Sequence, residues 1–164
     1  MPVILFADFT CADSYSTETM LAAISTELGT EVHYRAFERY PAGTPLPDMR
    51  PRTRKAHEAA RFARDRGVER PVRDAIYAAH FVEGRDIGRV DVLVELGTAL
   101  GLDRTELKVV LDIDQLTDAI LQDREAAGRL GITETPALVV ASGSEARILT
   151  GLRSPSELAT ILNA

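Results

Sequence analysis

The sequence predicts an α/β protein with one mixed sheet and a helical block inserted between its two strand-bearing ends. Three observations carry this. An unbroken apolar run, Val3-Ile4-Leu5-Phe6-Ala7, opens the chain; helical periodicity fills the middle; two short apolar segments separated by a turn lie near the end. With 164 residues and 45% hydrophobic side chains, residues 1–164 are expected to form a single domain whose core needs no metal or disulfide staple.

The run from Val3 to Ala7 lacks polar alternation and reads as a strand buried on both faces. A helix should follow. From Ser14 the residues Thr17, Leu21, Ile24 and Leu28 advance by threes and fours along one face, and Gly29 supplies the stop. Val32, Tyr34 and Ala36 then alternate with Glu31, His33 and Arg35, completing a strand-helix-strand unit expected to be parallel and right-handed. The segment Tyr40-Pro41-Ala42-Gly43-Thr44-Pro45-Leu46-Pro47 is linker-like, because its prolines cannot sit inside a helix.

From about Pro51 to Gly131 the pattern is helical: Ala56, Ala59, Ala60 and Ala63, then Val72, Ile76, Ala79 and Phe81, then Val92, Leu93, Leu96 and Leu100. Asp91 and Asp103 are placed as N-caps. A last helix of this section is expected from about Asp114 to Leu130, leaving residues 51–113 as the insertion proper. The second end holds Thr135-Pro136, a strand from Ala137 to Ala141, a turn at Ser142-Gly143-Ser144 and a strand from Ala146 to Thr150. Ser154 caps a closing helix with Pro155 at its first position.

Charge and composition exclude several classes. A mean hydropathy of −0.05, and no apolar run near the roughly 18 residues needed to cross a bilayer, argue against a membrane span. No basic segment precedes the first apolar run, so a cytoplasmic location is expected. A net charge of −6 disfavours nucleic acid as a partner. Residues 50–73 nonetheless hold nine Arg and Lys against three acids. That segment reads either as a dock for an anionic ligand or as a solvated helix face. No metal site is expected, because one cysteine and three dispersed histidines, His33, His57 and His80, form no ligand pair. His33 and His80 could serve as bases, but on a strand and within a helix a packing role is the expectation for them; Tyr15 and Tyr40 could line a cleft.

Cys11 lies between the first strand and the first turn of the following helix, in Asp8-Phe9-Thr10-Cys11-Ala12-Asp13-Ser14-Tyr15. A helix N-terminus offers free N–H groups and the positive end of the macrodipole, which stabilise a thiolate and make it a nucleophile at neutral pH. Ser14, three residues on, is placed to turn its hydroxyl back toward the sulfur. Asp13 works against this, since a carboxylate beside the sulfur favours the protonated thiol. A lone cysteine is also commonly an inert core residue. Thr135-Pro136 tips the balance, because a proline at the start of a strand often marks a cis turn.

With these residues the chain resembles the DsbA-like branch of the thioredoxin superfamily, in the cytosolic group that includes FrnE-type proteins and 2-hydroxychromene-2-carboxylate isomerases. The resemblance runs almost end to end. It is carried by Asp8-Phe9-Thr10-Cys11, by Arg35-Ala36-Phe37-Glu38 with Pro41, by Ala75 to Ile87, by Asp91-Val92-Leu93 through Gly101-Leu102-Asp103, and by Gly131-Ile132-Thr133-Glu134-Thr135-Pro136. It implies a thioredoxin-like fold with a helical insertion between the βαβ and ββα halves. Cys11 would hold the nucleophile position and Pro136 would be the cis-proline facing it, with Thr135 aligning an incoming thiol-bearing peptide or glutathione. Redox members of the family read Cys-Pro-x-Cys. Here the segment is Cys11-Ala12-Asp13-Ser14, a Cys-x-x-Ser variant with neither the proline nor the resolving cysteine.

Three functions follow from that departure. Cys11 could exchange with disulfide or glutathionylated substrates as a monothiol, with Ser14 beside it and an external thiol resolving the mixed disulfide. The chain could instead be a glutathione-dependent isomerase or transferase, with the basic segment helping to hold carboxylates. Or it could be a catalytically degenerate binding protein. The first is the leading expectation; it requires no cofactor, takes a thiol or disulfide substrate with glutathione as the candidate small thiol, and leaves a homodimer open.

Overall fold

The computed structural model describes residues 2–164, apart from the side chain of Ser142. The chain divides into two compact units, residues 1–39 with 123–164, and residues 40–122.

The first unit is built on a four-stranded sheet in the order β2-β1-β3-β4. Strand β1 (Val3–Ala7) pairs in parallel with β2 (Val32–Ala36) and antiparallel with β3 (Ala137–Ser142), which forms a hairpin with β4 (Glu145–Thr150). The sheet is mixed, as its element pattern implies. Alternation along β1 sends Val3, Leu5 and Ala7 to one face, where they pack with Leu21 and Ile24 of α1 (Ala12–Leu28) and Leu158 of α7 (Pro155–Asn163). Phe6 points to the other face, with Phe37, Ala127, Ile132 and Val139. The central strand is therefore covered on both sides, which is why its sequence is continuously apolar.

Helix α1 stops where Gly29 adopts a left-handed conformation, φ +65°, and its N–H closes on the Ser25 carbonyl. Ser154 caps α7 as a full capping box: its side chain accepts from Glu157 N–H while the Glu157 carboxylate accepts from Ser154 N–H at 2.8 Å. That bond holds the Glu157 carboxyl below its ordinary range.

The second unit is helical: α2 (Arg54–Arg64), α3 (Glu69–Phe81), α4 (Val90–Ala99) and α5 (Arg104–Asp112), with the first residues of α6 (Thr117–Arg129). The alanines of α2, Ala56, Ala59, Ala60 and Ala63, are all buried. Gly97 permits close contact of α4 with α5, since a Cβ there would lie 2.6 Å from Leu107, itself fully buried.

Several boundaries differ from the sequence expectation. Asp103 does cap α5, accepting from Glu106 N–H at 2.8 Å, but Arg89 occupies the N-cap of α4 and Asp91 falls inside its first turn. There its carboxylate pairs with Arg89 instead of capping. Helix α6 begins at Thr117, not Asp114, because Asp114 takes a left-handed φ of +58° that ends α5 and breaks the periodic run. Helix α1 starts two residues before Ser14. The hairpin turn is two residues, with Ser142 and Glu145 paired across it, so both flanking residues join the strands.

Candidate active site at Cys11

The site is assembled at the carboxyl end of β1, where the chain turns into α1. Cys11 is the N-cap of α1, in extended conformation, and its Sγ accepts a hydrogen bond from Ser14 N–H at 3.4 Å. The sulfur takes the place an oxygen usually fills in a helix cap, so the first-turn N–H and the helix dipole are directed at it. On its other side the thiol donates to the Thr135 carbonyl oxygen at 3.6 Å. The Thr135–Pro136 bond is cis. The two ends of the first unit thus meet at one sulfur, separated by 124 residues in sequence. Cys11 is 6% exposed, so only a narrow face of it reaches solvent, but its bonded neighbours are backbone polar groups.

Ser14 does not behave as its spacing suggests. Its hydroxyl accepts from Asp8 N–H at 3.3 Å, and the contact with sulfur is made by its backbone N–H. Ser14 is fully buried, so this oxygen satisfies a donor that water cannot reach. Asp13 is exposed, on the solvent side of the first turn, where its charge is screened.

Three residues that sequence reading missed hold the loop and the strand end that leads to it. Asp8, 1% exposed, accepts from Arg39 N–H at 2.9 Å through Oδ2. The Arg39 guanidinium donates to the Thr10 carbonyl oxygen at 2.8 Å, beside Cys11. Asp123, also buried, accepts from Ala36 N–H at 2.9 Å and from Arg35 at 3.0 Å, fixing the end of β2 that leads to Arg39. An acid at a strand end followed by a cysteine was the available signal for Asp8. Arg39 and Asp123 had none, because their roles depend on contacts remote in sequence. Thr135 carries a buried side-chain oxygen without a hydrogen-bond partner, next to the carbonyl that faces the sulfur.

The histidines lie elsewhere. His33 is half-exposed on β2, 3.6 Å from Glu31, and His80 packs edge-on against Phe81 in α3. Among the described residues no group of His, Cys, Asp and Glu is arranged to hold a metal. The basic segment is largely occupied by partners within its own unit: Arg64 with Glu69 at 2.9 Å, Arg70 with Asp74 at 2.9 Å, Arg66 with Glu106 at 3.4 Å, and Arg52 on the Tyr40 and Pro41 carbonyls. Lys55 bridges Glu58, Asp114 and the Leu111 carbonyl. Burial lowers the Lys55 ammonium, but its bonds to Asp114 and Glu58 outweigh this and leave it raised. Burial pushes the Glu58 carboxyl above its ordinary range, with Lys55 only partly opposing.

A family model described as a DSBA-like thioredoxin domain matches residues 2–163. The chain belongs to this DsbA-like family. It is a family of thiol–disulfide oxidoreductases with a thioredoxin-like fold, and this member carries one cysteine. Among curated proteins it is similar to the uncharacterised protein YwbO of Bacillus subtilis strain 168, 24% identical over 127 residues, 77% of this chain and 58% of that one. The chain therefore spans under two thirds of that relative's length. The probable DsbA oxidoreductase SCO1869 of Streptomyces coelicolor superposes with a TM-score of 0.83 at 23% identity, covering 99% of this chain and 88% of that one. The cytosolic disulfide reductase DsbM of Pseudomonas aeruginosa gives 0.79 at 22% identity, with 99% and 97% covered; it has also been solved with GSH. At these identities the likeness is one of DsbA-like fold. No helix among the described residues is long and apolar enough to cross a membrane.

Proposed function

We propose that this protein carries out monothiol exchange through Cys11. The observation that supports it is the position of Sγ between the first-turn N–H of α1 and the carbonyl preceding the cis proline. The helix N-terminus favours negative charge on the sulfur. The Cys11 thiolate attacks one sulfur of a substrate disulfide R–S–S–R′, forms Cys11–S–S–R and expels R′–S⁻, which takes up a proton from solvent. An external thiolate then attacks the mixed disulfide, restores the Cys11 thiolate and leaves as the new disulfide. With no second cysteine in this sequence, the resolving thiol comes from outside it.

Glutathione fits this need. A glutathionylated substrate would pass its glutathionyl group to Cys11, and a second glutathione would remove it as the oxidised dimer. DsbM, solved with GSH, lends support as a fold relative. Thr135 and Pro136 would align the incoming chain by main-chain pairing, and Ser14 would act through its N–H on sulfur. A cytoplasmic, reducing compartment suits such a cycle, because it supplies the resolving thiol.

The test is incubation with oxidised glutathione followed by intact mass. One glutathionyl adduct, released by added thiol and absent in Cys11→Ser, is expected. Tight binding of reduced glutathione with no adduct would instead favour the glutathione-dependent isomerase reading, which the missing resolving cysteine also accommodates. Neither adduct nor binding would leave a degenerate binding protein.

A further inference from the structure

Strand β4 is the last in the sheet, and its outer edge is unpaired among the described residues. Which of its backbone groups face outward follows from the ladder. Gly151 N–H donates to the Pro136 carbonyl at 2.9 Å, so by the alternation of an antiparallel pair Glu145, Arg147 and Leu149 bond inward to β3. Ala146, Ile148 and Thr150 then present their N–H and C=O groups to the open edge.

Beside this edge lies a groove of about 330 Å³ between β4 and α7, lined by Arg147, Leu149, Arg153, Glu157, Thr160 and Ile161 among others. Neither Arg147 nor Arg153 has a carboxylate within ion-pair distance among the described residues, and Arg153 Nε is buried without a hydrogen-bond partner. The Glu157 carboxylate also lines the groove; it accepts from Ser154 N–H and attracts Arg153 from beyond ion-pair distance. Two unpaired guanidinium groups therefore sit along an unpaired strand in a protein of net charge −6. On the opposite face of β4, Ile148 is exposed.

We propose that the outer edge of β4 and this groove form a docking site for an extended acidic segment of a partner protein, which adds to the sheet as a fifth strand. The main chain of the segment pairs with Ala146, Ile148 and Thr150. Its side chains alternate: acids on the α7 side, against Arg147 and Arg153 over the apolar floor of Leu149 and Ile161, and apolar residues on the side of Ile148.

A second copy of this chain fits less well. Across a two-fold axis between two β4 edges, even-numbered residues can meet only even-numbered ones and odd-numbered only odd. Placing the axis at Arg147 sets two guanidinium groups against each other, and placing it at Ile148 sets Arg147 against Leu149. Placing it at Ala146 pairs Arg147 with Glu145, but Ile148 then faces the turn residue Ser144 and the ladder is lost.

The test is fluorescence anisotropy with a short, end-blocked, labelled peptide alternating glutamate and valine. Saturable binding that weakens with salt is expected. Arg147→Glu combined with Arg153→Glu should weaken it by about tenfold or more. Ile148→Pro removes an outward N–H while leaving the inward ladder to β3 intact, and should abolish binding with an unchanged circular dichroism spectrum. Absence of saturable binding, equal binding of a lysine–valine peptide, or unchanged affinity in the double variant would overturn the proposal. So would a concentration-dependent dimer lost in Ile148→Pro, which would assign the edge to a second copy.

Discussion

Arg39 is joined to Asp8 twice, by a backbone hydrogen bond of 2.9 Å and an ion contact of 3.7 Å, and through its guanidinium it holds the carbonyl of Thr10, next to the sulfur. The chain leaving β2 is thus tied to the chain leaving β1 across the base of the Cys11 loop. Asp8→Ala would leave the Arg39 N–H without its acceptor, at a cost of about 1–3 kcal/mol. Asp8→Asn keeps an oxygen in place and should cost less. Urea unfolding with an unchanged m-value checks both, and equal losses would mean that the hydrogen bond is not what matters.

Ser14→Cys should convert the redox outcome. Residues three apart in the first turn lie about 5–6 Å apart, within the reach of a disulfide. Treatment with oxidised glutathione should then end in loss of two hydrogens by intact mass, not in a retained adduct, because the new thiol resolves the mixed disulfide. A stable adduct on the variant would show that the second sulfur cannot approach Cys11. The weaker acceptor offered to Asp8 N–H should lower stability by about 1 kcal/mol.

Glu58 predicts a pH signature in the helical unit. Burial raises its folded carboxyl above the unfolded value of 4.5, so the folded state binds its proton first. This contribution to stability is complete below 4.5 and is lost as pH rises through the raised folded value. Wild type should therefore gain stability relative to Glu58→Gln as pH falls from 7 toward 4.5. Paired thermal melts at several pH values check this; a wild type that loses stability relative to Glu58→Gln on acidification would reverse the sign.

Ser154→Ala should remove half of the capping box and cost about 1 kcal/mol. The same variant removes the acceptor of the Glu157 N–H but leaves the Glu157 carboxylate its bond from Ser154 N–H. Denaturant unfolding gives the number, and a value near zero would mean that α7 is held by its apolar packing, Leu158 with Ala159, Ile161 and Leu162, rather than by its cap.

Strands β1 and β2 were legible because each carries its burial in its own sequence. Val3 to Ala7 is apolar throughout, and Val32 to Ala36 alternates, matching strands covered on two faces and on one. Gly29 and Ser154 announced their helix ends through local chemistry. Asp114 did not, since a left-handed aspartate looks like any polar residue in a periodic run. At the site, Cys11 and Pro136 were legible as unusual residues at element ends. The direction of the Ser14 hydroxyl was not: spacing places a side chain near a neighbour but leaves undecided which of two donors and acceptors it serves. Arg39 and Asp123 were invisible for a plainer reason, as their partners lie 29 and 87 residues away.

The buried bond from Asp8 N–H to the Ser14 oxygen acts as a filter on substitution at position 14. Alanine would fit the space but strand the donor; valine would add bulk and strand it too; threonine would keep the lone pair but crowd the first turn. Only a compact side chain with an electron pair to spare passes all three conditions. Serine and cysteine are the two that do, so exchanging one for the other is the narrow route by which a scaffold of this kind gains or surrenders its second sulfur.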